Sequence, residues 1–178
     1  MVPDLLIWQR LRIELMPHVH LRALFPRDRD RTGALRVEQD GLLLAEFPAL
    51  GRGSRGGGDT TLLENGNTPA GEYDATDLES TTHRNLNSYG PWGAVRLSPV
   101  GGRALLAEWI GHRSGLLIHG GSLGAAGYWR GAGALRATHG CIRLSNEDMK
   151  SLKEILENAS LEVNRCVRPI VTVSVEEQ

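Results

Sequence analysis

The chain has 178 residues, 40% of them hydrophobic, and a formal net charge of −1, which suits one domain with one substantial core. So even a charge balance offers no bulk attraction for nucleic acid or an anionic membrane surface. Two cysteines, Cys141 and Cys166, are too few for a disulfide framework, and no run of about 20 apolar residues is present to span a bilayer.

Residues 1–17 mix Leu5, Leu6, Ile7, Trp8, Leu11, Ile13 and Leu15 with charge. Asp4 and Glu14 interrupt any long apolar core, so the segment does not read as a secretory signal. It is expected to be an N-terminal appendage on a domain of residues 18–178. His18 to Phe25 alternates, which predicts a strand with Val19, Leu21 and Ala23 on one face. His18 and His20 share the other face at a spacing that suits a metal, but no third ligand lies near, so exposed strand histidines and no metal are expected. Ala34–Glu38 and Leu42–Phe47 flank Gln39-Asp40-Gly41, a hairpin signal. The Gly-rich run 51–59 lacks the Lys-Ser/Thr ending of a phosphate loop and reads as a flexible connection.

Asn65 to Gly71 is a turn cluster leading into a strand at Glu72–Thr76, followed by a polar, irregular stretch over 77–88. Tyr89 and Trp92 bracket a Gly-Pro turn and suit either the edge of the core or the wall of a groove. Ala94–Pro99 reads as a strand, Arg103–Ile110 as a short helix, and Gly115–His119 as a buried strand that delivers His119 at its end. Ser145 is a good N-cap with Asp148 at the reciprocal position. Met149, Leu152, Ile155, Leu156 and Ala159 give the following helix its apolar face. Cys166, between apolar neighbours, reads as a small buried residue, and Arg168–Val175 as a final β-branched strand. Many short strands without βαβ alternation predict a mainly β, sandwich-like domain with one or two packed helices.

The chemistry concentrates between Leu116 and Ser145. Ile118-His119-Gly120 is followed, after the 18 residues Gly120 to Ala137, by Thr138-His139-Gly140-Cys141-Ile142-Arg143-Leu144. A cysteine nucleophile needs a base to ionise it and donors for the oxyanion. Cys141 supplies the thiol and His119 and His139 are candidate bases. Gly140 permits a sharp turn that aims backbone N–H groups at a carbonyl. A zinc site on His119, His139 and Cys141 has no evident fourth ligand.

These strings resemble the active-site signature of the L,D-transpeptidase catalytic domain, the cysteine-dependent peptidoglycan enzymes. Thr68-Pro69-Ala70-Gly71-Glu72-Tyr73 is similar to the family's upstream Thr-Pro-x-Gly-x-aromatic element. Two departures stand out: Arg143 occupies the place of the pattern's Asn, and the spacer is slightly long. The resemblance implies Cys141 as nucleophile, His119 as base, His139 as a shaping residue, and the Cys141 and Gly140 N–H groups as oxyanion donors. Arg143, Tyr89, Thr138 and Gly120 are the candidate substrate contacts, with Arg143 either holding a stem-peptide carboxylate or forming a structural ion pair. Tyr128, Trp129 and Arg130 in the spacer suit a lid or simply an exposed loop.

The implied activity is acyl transfer on peptidoglycan stem peptides. The L,D bond before a terminal D-Ala is cleaved and the acyl group passes to an amine, without a cofactor. Alternatives are an L,D-carboxypeptidase using water, in wall recycling or as an exported antibacterial effector with an immunity or secretion partner, and a non-catalytic wall-binding module. The family mostly works in the periplasm or cell wall. The absence of a recognisable leader in residues 1–17 also admits the cytoplasm or specialised secretion.

Overall fold

The computed structural model describes residues 18–56, 58–79, 86–121, 129–161 and 170–178. The expectations for residues 1–17, Tyr128 and Cys166 lie outside them. The alternating stretch His18–Phe25 forms β1, with Val19, Leu21 and Ala23 fully buried as the pattern requires. Strands β2 (Gly33–Gln39) and β3 (Leu42–Ala49) form the expected hairpin. Its two-residue turn, Asp40-Gly41, has φ of 50° and 82°, the left-handed pair that a primed turn demands.

The remaining elements are β4 (Gly71–Glu79), α1 (Leu86–Tyr89), β5 (Ala94–Pro99), α2 (Gly102–Trp109), β6 (Leu116–His119), β7 (Ile142–Arg143), α3 (Asn146–Leu161) and β8 (Ile170–Glu177). β4 runs further than the polar sequence after Thr76 suggested. A register shift between Ala75 and Leu78 lets it continue, with Leu78 opposite Val95 and Glu79 opposite Ala94.

All eight strands belong to one sheet in the order β3-β2-β1-β8-β4-β5-β6-β7. Neighbours are antiparallel except β1 with β8 and β6 with β7. The two edges of this sheet come back together: Leu50, just past β3, exchanges both backbone hydrogen bonds with Arg143 of β7, at 3.0 and 2.9 Å. The fold is therefore mainly β, as the sequence indicated, and the sheet doubles back on itself around a common core.

That core joins Val19, Leu21, Leu35, Val37, Val173 and Val175 to Ile118, Ile142 and Leu144. Helix α3 closes it with Met149, Leu152, Leu156 and Ala159, which share one helical face. His18 and His20 lie on the opposite face of β1. His20 bonds Thr172 Oγ1 at 2.8 Å and Ser174 Oγ at 2.9 Å, and His18 bonds Thr172 Oγ1 at 3.0 Å.

Ser145 caps α3 as expected. Its Oγ accepts from the Asp148 N–H at 3.0 Å and donates to Asp148 Oδ2 at 2.6 Å. Ser145→Ala removes both bonds and is expected to cost about 1 kcal/mol of stability, read as a lower urea midpoint with unchanged slope.

Candidate active site

The site follows from the period-two geometry of two short parallel strands. β6 and β7 pair with Ile118 opposite Ile142 and His119 opposite Arg143. Leu116, Ile118, Ile142 and Leu144 enter the main core. The intervening residues Leu117, His119, Cys141 and Arg143 must then face the other side of the pair. There Leu117 and Cys141 pack with Ala94, and Tyr89 leans on them. His119, Cys141 and Arg143, together with Thr138 and His139, line one cavity of about 640 Å³.

His119 is 3% exposed. Its Nδ1 lies 2.8 Å from the Gly120 carbonyl oxygen. A carbonyl can only accept, so Nδ1 carries the proton and Nε2 keeps its lone pair. Arg143 Nη1 donates to the same Gly120 oxygen and so stands 3.2 Å from Nδ1. Burial and then the Arg143 charge push the His119 pKa down to about 3, against a weaker opposing effect of the Gly120 hydrogen bond. The imidazole is therefore neutral at physiological pH, with Tyr89 edge-on to it at 4.8 Å between ring centroids.

Burial pushes the Cys141 thiol up from its ordinary value, while the Leu117 backbone hydrogen bond and the positive charges of Arg143 and Arg113 pull it down. Arg143 is itself 9% exposed, and burial lowers its pKa to about 10, with Cys141 acting in the opposite direction. Its guanidinium carbon lies 5.2 Å from the Trp129 ring centre. No ion pair to Arg143 is seen among the described residues.

The turn before Cys141 is held by hydroxyls. Thr138 Oγ1 donates to the Cys141 carbonyl at 2.8 Å and accepts the Gly140 N–H at 3.0 Å. The Gly140 N–H, one of the two expected oxyanion donors, is thus engaged in the turn. Thr68, from the upstream Thr-Pro element, donates to the Gly140 carbonyl at 2.9 Å. Gly140 has φ of 110°, and a Cβ there would overlap the Arg113 guanidinium and the Gly66 carbonyl, so no other residue fits.

The structure separates the two histidines and the two aromatics that sequence left open. His119 is buried and His139 is exposed at the rim of the cavity. Tyr89 lines the cavity, whereas Trp92 packs on the main core with Lys150 5.4 Å above its ring. Thr138 spends its hydroxyl within the turn. Gly120 supplies a carbonyl and, lacking a side chain, lets Asn146 approach. Trp129 lines the cavity and Arg130 is exposed beside it.

Sequence reasoning passed over two residues of the site, Arg113 and Asn146, and named Thr68 only as part of the upstream Thr-Pro element. Asn146 opens α3, accepts the Gly121 N–H on its Oδ1 at 2.8 Å, and donates its own backbone N–H to the Gly131 carbonyl at 2.8 Å. It thereby pins both stems of the spacer, and the glycines at 120 and 131 were the only signal for it, since a Cβ at either would strike its amide. The Gly-rich run after β3 is also tied down: the Gly53 N–H donates to Asn67 Oδ1 at 3.0 Å and the Gly51 carbonyl accepts from Thr68 at 2.9 Å.

Residues 28–171 match the family model of the L,D-transpeptidase catalytic domain, YkuD. Among solved structures the chain is similar to L,D-transpeptidase 1 of Mycobacterium tuberculosis, at 18% identity and a TM-score of 0.46 over 91% of this chain and 63% of that one. It is similar as well to an L,D-transpeptidase from Mycobacterium smegmatis, at 19% identity and a TM-score of 0.45 over 90% and 59%. The chain spans about six-tenths of the length of these solved relatives. No curated protein matches it.

Two expectations follow from the electrostatics. Alkylation of Cys141 by iodoacetamide should climb through alkaline pH, beyond the roughly 8.5 of a free thiol, with no step near 6.5, because His119 does not titrate there. A folded His119 pKa near 3, below the roughly 6.5 of an unfolded histidine, means the unfolded chain binds the extra proton between those values. Stability is then fully present above pH 6.5 and lost as pH falls toward 3. His119→Gln should flatten that acid slope in denaturation curves taken from pH 7 to 4.

Proposed function

The chain belongs to the L,D-transpeptidase catalytic-domain family, and from that premise we propose that it is a cysteine acyl transferase acting on peptidoglycan stem peptides. The observation that carries this reading is the shared face of β6 and β7, which puts a neutral imidazole and a thiol in one cavity.

In the proposed reaction His119 Nε2 takes the thiol proton of Cys141. The sulfur attacks the carbonyl carbon of the third stem residue, forming a C–S bond and moving an electron pair onto oxygen. The Cys141 N–H faces that oxyanion. Collapse breaks the C–N bond to the terminal D-Ala, whose amine takes the proton from His119. The low affinity of His119 for a proton favours this delivery, since a buried imidazolium beside Arg143 is unstable. An amine from a second stem, or a free D-amino acid, then attacks the thioester. Its C–N bond forms as the C–S bond breaks, and one amine proton returns to sulfur through His119.

The cavity suits such a peptide. Arg113, Arg136 and Arg143 line it against one acid, Glu64, among the described residues, so the cavity favours stem carboxylates. Tyr89 and Trp129 supply flat apolar walls. Arg143 is already bonded to Gly120, so its part is to fix the carbonyl that orients His119 as well as to add charge. We place the activity at the cell wall, where such stems are. Among the described residues no helix is long and apolar enough to cross a membrane.

The test is intact-mass and product analysis after mixing the protein with disaccharide-tetrapeptide, with and without a D-amino acid. An acyl adduct on Cys141 with dimers or exchanged stems supports transfer to amines. Tripeptide alone means that water resolves the thioester and the chain is an L,D-carboxypeptidase. No adduct and no product would leave a wall-binding module. Cys141→Ala should abolish adduct and turnover with the fold intact, and His119→Ala should cost roughly 10²–10⁴-fold in turnover, the usual worth of a general base. A larger loss in His139→Ala would reverse the roles of the two histidines.

A further inference from the structure

Arg113 lies in the turn between α2 and β6 and is 6% exposed. Among the described residues its guanidinium donates only to backbone carbonyls: Nη1 to Thr61 and Asn67, each at 2.6 Å, and Nη2 to Gly66 at 3.0 Å, with the His139 carbonyl at 3.5 Å. Among the described residues no carboxylate pairs with it. A buried cation without an anion is costly, and carbonyl dipoles compensate it only in part. The costly arrangement sits under the reacting thiol. The guanidinium occupies the space that a Cβ at Gly140 would need, and Gly140 is bonded directly to Cys141.

We infer that Arg113 is a positioning residue for the proposed reaction, and that the anion it lacks is the thiolate formed when Cys141 ionises. Its fork ties the Thr61–Asn67 loop to the turn that carries Cys141, so that one group sets the place of the sulfur and stabilises its charge. The inference rests on Cys141 being the nucleophile. The titratable groups around the thiol and the Arg113 guanidinium include Arg143 on β7, His119 on β6, His139 in the turn, Tyr73 on β4 and Glu64 of the 61–67 loop. Glu64 is the one carboxylate lining this cavity among the described residues, and it makes no ion pair with Arg113. Arg143 belongs to the strand that follows Cys141, and the Arg113 guanidinium lies against Gly140, which precedes it. Each Coulombic interaction works on the thiolate in the same direction, against burial.

The test follows the pH dependence of Cys141 alkylation by iodoacetamide in the wild type, Arg113→Gln and Arg113→Lys, each checked for folding by circular dichroism. Removing the charge in Arg113→Gln should raise the midpoint by about one pH unit, a roughly tenfold loss of thiolate below the midpoint. Arg113→Lys keeps the charge, so its midpoint should stay near that of the wild type. A merely structural residue would lower the melting temperature in both variants and leave both midpoints alone, and a folded Arg113→Gln with the wild-type midpoint overturns the inference. Should Arg113→Gln not fold, the comparison passes to Cys141→Asp and Cys141→Asn in the otherwise native chain. The carboxylate should supply the missing anion and melt above the amide, and equal or lower melting overturns the inference. Alkylation involves no peptidoglycan. A chain inert toward stem peptides but with an Arg113-dependent thiol would therefore overturn the reading of function and leave the pairing of Arg113 with the Cys141 thiolate standing.

Discussion

The backbone pair between Leu50 and Arg143 is the constraint on which the site depends. β3 and β7 are the two edges of an eight-stranded sheet, and an open edge is a row of unsatisfied N–H and C=O groups. Leu50 and Arg143 satisfy one another across that gap. A second bridge, Gly53 with Thr138, extends the closure by a few residues. Between Thr138 and Arg143 lies the whole turn that carries Cys141. Cys141 is therefore held at the seam where the sheet meets itself, with main-chain hydrogen bonds on both sides of it. Such bonds fix a backbone more closely than side-chain packing alone.

β7 is only two residues long, too short to hold a register by itself. Its neighbours hold it: Ile142 is fully buried in the core, Leu50 bonds Arg143, and the Leu144 N–H donates to the His119 carbonyl at 3.0 Å. A shift by one residue would turn Cys141 into the core and Ile142 into the cavity. Ile142 and Leu144 on one side and Cys141 and Arg143 on the other thus specify the register of the strand and the orientation of the site with the same residues.

Much of this could be read from the sequence because it is local. The alternation of β1, the Asp-Gly turn, the Ser145 cap and the apolar face of α3 each depend on residues within a few positions of one another, and periodicity reports them. That His119 and Cys141 belong to one site was expected from the family resemblance of the strings around them, and both line the same cavity. The remainder rests on partners far apart in the chain. Thr68 reaches Gly140 across 72 positions and Arg113 reaches Gly66 across 47, and no local pattern encodes such contacts. Arg113 in particular reads as one more solvated charge in a turn, since its burial is decided by the 51–68 loop folding over it. The continuation of β4 beyond Thr76 was missed for a related reason: a bulge breaks the alternation that marks a strand, and the pairing with β5 alone carries it on.

The choice of arginine around the thiol has a consequence for the proposed chemistry. A cysteine can be activated by a stable ion pair with imidazolium, which needs a histidine of ordinary or raised proton affinity. His119 has the opposite character, because burial and Arg143 both disfavour its charged form. Here the standing positive charge belongs to two guanidinium groups, which stay protonated at physiological pH. Charge stabilisation and proton transfer are thus divided between different residues. In the proposed reaction the arginines lower the energy of the thiolate, and the histidine holds the proton only between its departure from sulfur and its arrival on the leaving amine. A weakly basic histidine would be a poor partner for an isolated thiol. Beside Cys141 the two buried cations offset part of the cost that burial puts on the thiolate, and the low basicity of His119 favours passing the proton on to the leaving amine.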